Sequence, residues 1–189
     1  MGRKYELKQR AERQQETRLR IVEAAIELHR TKGPARTTLS DIARLAGVQR
    51  HTLYRHFPDG REIGLACSGL HMERNPPPQA EQWSSIPAGT ARLRNGLGEL
   101  YGFFERNQDM LSCVLRDAEV DPLTREMFEL RAGAQMGAVR ESLAEGLERR
   151  RGLAALDLAL DFHTWRRLAQ TGLSREESVE TMLAAILAQ

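Results

Sequence analysis

Apolar side chains recur along the chain every three or four residues, the spacing that places them on one face of a helix. The first such pattern covers residues 5–32 and ends at Gly33-Pro34. Its two apolar series are Leu19, Val22, Ile26 and His29, and Ile21, Ala24, Ala25 and Leu28. The first dozen residues lack this stripe and predict a frayed basic arm carrying Arg3, Lys4, Lys8, Arg10 and Arg13.

Two short helices follow, separated by a tight turn. Thr38 precedes Leu39 and has Asp41 three residues on, which fits an N-cap in a capping box. Ala46-Gly47 supplies a turn, and a second short helix is predicted over residues 49–57. A helix–turn–helix arrangement is therefore expected in this segment.

A proline run divides the rest of the chain. A fourth helix over residues 61–73 leads into Asn75-Pro76-Pro77-Pro78, the clearest boundary in the sequence. Five further helical patterns follow, over 89–106, 108–119, 122–150, 154–171 and 174–188, the last opened by a capping box of Ser174 and Glu177. The pattern predicts about nine helices in two groups.

Composition agrees with an all-α fold. Aromatic residues make up 5% of the 189 residues, and Ala, Leu, Arg and Glu dominate. No apolar run approaches the roughly 18 to 20 residues that span a bilayer, and the first residues lack the apolar core of a signal peptide. A cytoplasmic protein is therefore expected. Cys67 and Cys113 form no CxxC pair and are predicted to be buried thiols.

Charge is distributed unevenly. Residues 1–74 hold 15 Lys and Arg against 9 Asp and Glu, a net +6, whereas the remainder holds 13 against 17, a net −4. A basic front end suits a polyanion such as DNA, although a basic face is as often only solvated. A DNA-binding motif in the basic part of the chain would favour the first of these two interpretations.

The most specific motif lies in residues 37–57, TTLSDIARLAGVQRHTLYRHF. A helix-turn-helix needs a small residue where its helices cross, a glycine at the turn and an apolar anchor on the second helix, and Ala43, Gly47 and Leu53 supply them. The side chains left on the second helix are almost wholly polar or aromatic: Gln49, Arg50, His51, Thr52, Tyr54, Arg55 and His56. Such a set suits contact with bases and phosphates in the major groove.

At these residues the chain resembles the TetR family of bacterial regulators. The similarity covers about residues 18–65 through IVEAAIELHRTKG, TTLSDIARLAGV and TLYRHFP, and the later stretches VLRDAEV and FHTWRRL are similar to actinobacterial members. It implies a DNA-binding domain in residues 1–60, a linking helix in 61–75 and a helical ligand-binding and dimerisation domain in 76–189. It also implies a homodimer, paired through its last two helices, that represses from an inverted-repeat operator until a small molecule releases it.

Carried across by position, the resemblance assigns Thr38 and Ser40 to phosphate or base contacts at the start of the second helix. It assigns Arg50, His51, Thr52 and Tyr54 to the reading face, and His56 and Arg61 to the DNA backbone. Two features depart from the family. Many members have Gly or Pro where His51 stands, and the loop after Phe57 is one residue longer, which shifts Arg61. Packing against the first helix is an equal alternative for Tyr54, and capping or packing is an alternative for His56.

The second group of helices is rich in large apolar side chains, which favours an apolar or aromatic effector if they line a cavity. The candidates are Tyr101, Phe104, Met110, Arg116, Met127, Phe128, Phe162 and Trp165. Most such residues are core, and Arg116, Asp117 and Glu119 are better explained by pairing with one another than by a pocket. Leu156, Leu160, His163 and Leu168, with Val179, Leu183, Ile186 and Leu187, suggest a two-fold helical interface.

Other classes have less support. A helical enzyme using Cys67, Cys113 or a histidine lacks any recognisable catalytic or cofactor-binding motif, so neither an enzyme nor a cofactor is expected. Cys67 and His71 share a helical face but have no third ligand nearby, so a core pair is favoured over a metal site. A partner-binding bundle with a vestigial helix-turn-helix remains the other alternative, and the polar reading face counts against it.

Overall fold

The structure is a computed structural model that describes residues 2–188, with side chains described from Tyr5 to Ala188. All regular secondary structure in this range is helical. The helices are α1 Gly2–Thr31, α2 Leu39–Leu45, α3 Arg50–His56, α4 Gly60–Arg74, α5 Thr90–Ala118, α6 Pro122–Phe128, α7 Ala134–Ala144, α8 Arg150–Ala159, α9 Phe162–Gln170 and α10 Arg175–Leu187. A π-helical turn, Glu129–Gly133, joins α6 to α7. Taking α6, this turn and α7 as one stretch, the described residues contain nine helices, which is the predicted number.

Three predicted helix boundaries are wrong. The helices expected over 89–106 and 108–119 are one helix, α5 Thr90–Ala118, within which the side chain of Asn107 donates to the Phe103 carbonyl at 2.9 Å. The helix expected over 122–150 ends at Ala144, and Gly146 has a φ of 83°, which the helix cannot contain. The helix expected over 154–171 divides at Asp161, whose carboxylate accepts from the Thr164 amide at 2.7 Å and starts α9.

The predicted frayed arm is also wrong, because α1 extends to Gly2. Between Tyr5 and Arg20 its side chains are exposed, apart from half-buried Gln9 and Thr17. Lys8 and Glu12 lie one turn apart with a 3.8 Å ion pair, an arrangement that supports an exposed helix. The side chains of Arg3 and Lys4 lie outside the described residues.

The chain divides into two compact units. The first comprises residues up to Arg74 together with Ser112–Phe128, and the second comprises Asn75–Leu111 and the residues from Glu129 onward. The first unit has its core where α1, α2, α3 and α4 meet, around Ile21, Ala25, Ile42, Leu53, Phe57 and Ile63. The end of α5 and all of α6 belong to this unit although they are distant in sequence.

The second unit has a core of leucines and aromatic rings. Tyr101 is fully buried and donates its hydroxyl to the Ala159 carbonyl at 3.1 Å, and burial raises the pKa of that hydroxyl. The apolar residues include Leu93, Leu97, Leu100, Leu143 and Leu156. Ser174 and Glu177 form the predicted capping box at the start of α10. No helix in the described range has the length and apolar character needed to cross a bilayer.

Both cysteines are buried, as predicted. Cys67 Sγ lies 3.5 Å from His29 Nδ1 inside the first unit, and burial lowers the pKa of His29 to about 4. The imidazole is therefore neutral at pH 7. Between residues 5 and 188, no three His, Cys, Asp or Glu side chains are grouped in a way that would hold a metal ion.

Candidate nucleic-acid interface

The start of α2 is held by a network centred on Asp41. Thr38 Oγ1 accepts from the Asp41 amide at 3.1 Å, and the Asp41 carboxylate accepts from the Thr38 amide at 3.2 Å, which completes the predicted capping box. Lys32 Nζ and Arg44 Nη2 lie 2.6 Å and 2.8 Å from the same carboxylate. The hydrogen bonds from Lys32 and Thr38 hold the pKa of Asp41 well below its usual range.

This network limits one predicted DNA contact. Thr38 also donates its hydroxyl proton to Asp41 at 2.9 Å, so it must release Asp41 before donating to a phosphate. Ser40, the other residue assigned to this end of α2, is exposed. Of the two, Ser40 is the better placed to reach a polyanion without rearrangement.

The turn between α2 and α3 has the predicted geometry. Gly47 has a φ of 64°, in the left-handed region that favours glycine. The Val48 amide donates to the Ala43 carbonyl at 3.0 Å and closes the end of α2. Ala43 and Leu53 are buried in the core that holds both helices. The turn and its anchors therefore fix the direction of α3.

The third helix separates its residues onto a buried and an exposed side. Leu53 is the buried residue of α3, and Phe57, just after the helix, is fully buried. The predicted reading residues lie elsewhere: Gln49, Arg50, His51, Tyr54 and Arg55 are exposed, and Thr52 and His56 are half-buried. The structure thus brings these polar side chains together on one short helix.

Tyr54 belongs to the exposed side. Its side chain is 41% exposed, and its hydroxyl accepts from Arg50 Nη2 at 3.4 Å. The Arg50 guanidinium also lies 5.9 Å from the centre of the Tyr54 ring. These contacts align two of the predicted reading side chains along one edge of α3.

Arg18 supports the end of α3, a role that the sequence did not suggest. Its guanidinium lies over the Phe57 ring at 4.1 Å and donates to the His56 carbonyl at 3.5 Å. Burial, together with the charges of Arg55 and Arg18, lowers the pKa of His56. His56 Nε2 is buried and has no hydrogen-bond partner in the described part of the chain.

Arg61 is already paired. Its Nε and Nη2 atoms donate to one oxygen of Glu126 in α6 at 3.1 Å and 2.7 Å. This pair holds the pKa of Arg61 above its usual value. A phosphate would have to compete with Glu126 for Arg61, so a contact between Arg61 and the DNA backbone would require this ion pair to break. The spacing of residues in the sequence could not show this.

The predicted effector-binding residues are divided between the two units. In the second unit, the Phe104 ring lies 5.5 Å from Phe162 and 5.6 Å from Trp165, next to Tyr101. Met110 is also buried in this unit. Arg116, Met127 and Phe128 belong to the first unit.

The alternative favoured for the charges near the end of α5 is confirmed for one pair. Asp117 is 2% exposed, and its carboxylate accepts from Arg116 Nε at 2.7 Å and from the Ala35 amide at 3.0 Å. Arg116 Nη2 donates to the Lys32 carbonyl at 3.1 Å. These charges therefore join the end of α5 to the segment that follows α1.

Comparison with known proteins agrees with this geometry. A profile of bacterial regulatory proteins of the tetR family matches residues 21–67, which include α2, the glycine turn and α3. Residues 21–67 are thus similar to the helix-turn-helix domain of that family. HTH-type transcriptional regulator TtgR of Pseudomonas putida is 49% identical over 61 residues, which are 32% of this chain and 29% of that regulator. The chain therefore matches under a third of this relative's length.

Solved structures extend the similarity in fold beyond residues 21–67. A Clostridium perfringens protein proposed to regulate fatty acid metabolism has a TM-score of 0.66 at 17% identity, over 89% of this chain and 96% of that one. A TetR-family transcriptional regulator from Bordetella parapertussis 12822 has a TM-score of 0.59 at 18% identity, over 90% of this chain and 94% of that one. The all-helical fold is therefore shared by both.

Proposed function

We propose that the protein is a sequence-specific transcriptional regulator that binds duplex DNA through α3. The observation that carries the proposal is the exposed polar side of α3, held in one direction by Leu53, the Gly47 turn and the Arg18–Phe57 contact. A helix presented in this way can enter the major groove, where side chains distinguish base pairs. Because the proposed partner is chromosomal DNA, the proposal places the protein in the cytoplasm.

The proposal includes a homodimer, because two equal reading helices recognise an inverted repeat. Four of the eight residues first considered for the interface are core: Leu156, Val179, Leu183 and Ile186 are buried within the protomer. Leu158 in α8 and Leu187 in α10 remain exposed and are better candidates. We also propose that the protein is of the actinobacterial type, because the stretches VLRDAEV and FHTWRRL resemble actinobacterial members of the family.

We further propose that an apolar small molecule binds to the domain formed by residues 76–189, which residues 61–75 link to the DNA-binding domain. Binding of this molecule would lower the affinity of the protein for its operator, as expected for a repressor. The support for an apolar effector is the aromatic cluster in the core of the second unit, formed by Tyr101, Phe104, Phe162 and Trp165. A hundredfold release would require a coupling of about 2.7 kcal/mol between the two sites. Ligands that raise the melting temperature without changing DNA affinity would count against induction.

Selection of bound DNA from a random pool tests the central claim. We expect an inverted repeat, and we expect Arg50→Ala to relax preference at one position in each half-site, because a bidentate arginine–guanine contact contributes about 1–3 kcal/mol of discrimination. Arg20→Ala is the matched control, since Arg20 is exposed on α1 and lies outside α3. Failure of the wild-type protein to enrich any sequence would favour the partner-binding alternative.

A further inference from the structure

An open cleft separates the first half of α1 from α3. Its volume is about 450 Å³. The wall formed by α1 includes Arg10, Arg13 and Glu6, and the wall formed by α3 includes Arg55 and His56. Because α1 is helical through these residues, Arg10 and Arg13 have fixed positions beside α3, the predicted reading helix.

The cleft concentrates positive charge that the protein does not neutralise. It is lined by three arginines and one glutamate, a net charge of +2. Elsewhere in the same unit Lys32, Arg61 and Arg74 each have a carboxylate within 2.9 Å. No ion-pair partner within 4.0 Å is found in residues 5–188 for Arg10, Arg13 or Arg55. Like charges that line one cleft repel one another unless an anion lies between them.

His56 adds a second, independent feature. Its Nε2 atom is buried and unpartnered among the described atoms, although buried polar atoms are normally hydrogen-bonded. Its ring forms part of the wall of the cleft, so a phosphate held by the guanidinium groups of Arg10, Arg13 and Arg55 would change the electrostatic environment of the imidazole.

We infer that this cleft binds a backbone phosphate of duplex DNA beside the bases read by α3. The inference rests on the proposed function. It favours DNA over a free anion because Thr52, Arg55 and His56 line the cleft from the same seven-residue helix that exposes Arg50 and Tyr54. A duplex whose bases meet one edge of α3 brings its backbone to the neighbouring edge.

Salt dependence separates a phosphate contact from a merely basic surface. Each phosphate contact adds about 0.9 to the slope of log affinity against log salt concentration. Arg13→Gln and Arg55→Gln should each lower this slope by about one for operator and scrambled DNA alike. The loss of affinity between 50 and 200 mM salt then becomes about 3.5-fold smaller for each variant.

The matched control is Arg20→Gln, which removes the same charge from an exposed position of α1 outside the cleft. It should leave the slope close to that of the wild-type protein, and circular dichroism should show that all three variants are folded. If the cleft variants match Arg20→Gln while the wild-type protein still prefers its operator, the cleft is not a phosphate site. If the wild-type protein shows no preference among DNA sequences, the proposed function fails instead.

Nuclear magnetic resonance of His56 provides a direct readout. The charges around it are Arg55 on its own helix and Arg10, Arg13, Arg18 and Glu6 on α1. A bound phosphate opposes these cations, so the pKa of His56 should rise on adding duplex DNA. The rise should be absent in Arg13→Gln.

Two probes identify the source of the phosphate. Inorganic phosphate at the same ionic strength should leave the His56 pKa unchanged, and an equal rise with phosphate alone would overturn the DNA assignment. Duplexes with a neutral methylphosphonate at one backbone position should weaken wild-type binding at a flanking position. At that position Arg13→Gln should lose little further affinity, and additive losses at every position would overturn the inference.

Discussion

Gly33 tests how the segment after α1 is held in place. Its φ of 99° and ψ of 152° fall in a region that is almost closed to other residues. A Cβ added at Gly33 would overlap the Asp117 carboxylate and the Arg116 guanidinium. Gly33→Ala therefore combines backbone strain of about 1–3 kcal/mol with disturbance of the Asp117–Ala35 hydrogen bond, a charged bond that contributes about 1.5–3 kcal/mol. We expect a loss of about 3–5 kcal/mol in the free energy of unfolding.

Gly47→Ala is the matched control, because Gly47 also has a positive φ but has open space around an added Cβ. It should cost only the left-handed backbone penalty of about 1–2 kcal/mol, and Gly47→Asn should cost less. Urea unfolding followed by circular dichroism, at one fixed protein concentration because a dimer is expected, measures all three.

A double variant identifies the cause of the difference. Asp117→Ala removes the carboxylate that the new Cβ would meet, so Gly33→Ala made in that background should cost little more than the backbone strain. Arg116 is 43% exposed at its side chain and can move aside. Equal costs for Gly33→Ala and Gly47→Ala, or an unchanged cost of Gly33→Ala without Asp117, would refute the argument.

Three further outcomes are expected. Glu126→Gln should free Arg61 and strengthen DNA binding of all sequences several-fold, whereas Glu126→Gln combined with Arg61→Gln should not, as measured by gel shift. The pKa of His29 is about 4 in the folded protein and about 6.5 in the unfolded chain, so the unfolded chain binds a proton first as the pH falls. The free energy of unfolding should therefore decrease by about 1.4 kcal/mol per pH unit as the pH falls from 6.5 to 4, and an equally steep decrease in His29→Gln would contradict this. Leu187→Glu should yield folded monomers in sedimentation because Leu187 is 40% exposed, whereas Leu183, at 2%, is core and its replacement should unfold the protein.

Local chemistry explains what the sequence could predict. The capping box of Thr38 and Asp41, the turn at Gly47 and the anchor at Leu53 depend on spacings within one or two helical turns. The second capping box, at Ser174, has the same local character. Both were therefore identifiable from residue types and spacing alone, and so was the polar set on α3.

Contacts between distant residues explain what the sequence could not predict. Arg61 and Glu126 are 65 positions apart, and Ala35 and Asp117 are 82 positions apart. Helical periodicity cannot pair such residues. The cleft beside α3 was missed for a related reason, because a polar segment without an apolar stripe was interpreted as frayed although α1 remains helical there.

These distant contacts also show what supports the candidate DNA-reading unit. Its first part ends at Arg74, yet residues 112–128 complete it. Cys113 Sγ donates to the Arg30 carbonyl at 3.4 Å, Asp117 accepts from the Ala35 amide, and Met127 packs beside Gly64. A chain cut after the proline run would keep α1 to α4 but would leave these polar groups and the Gly64 surface uncovered. The helix-turn-helix is thus local in sequence, whereas the support for its first and fourth helices comes from the end of α5 and from α6.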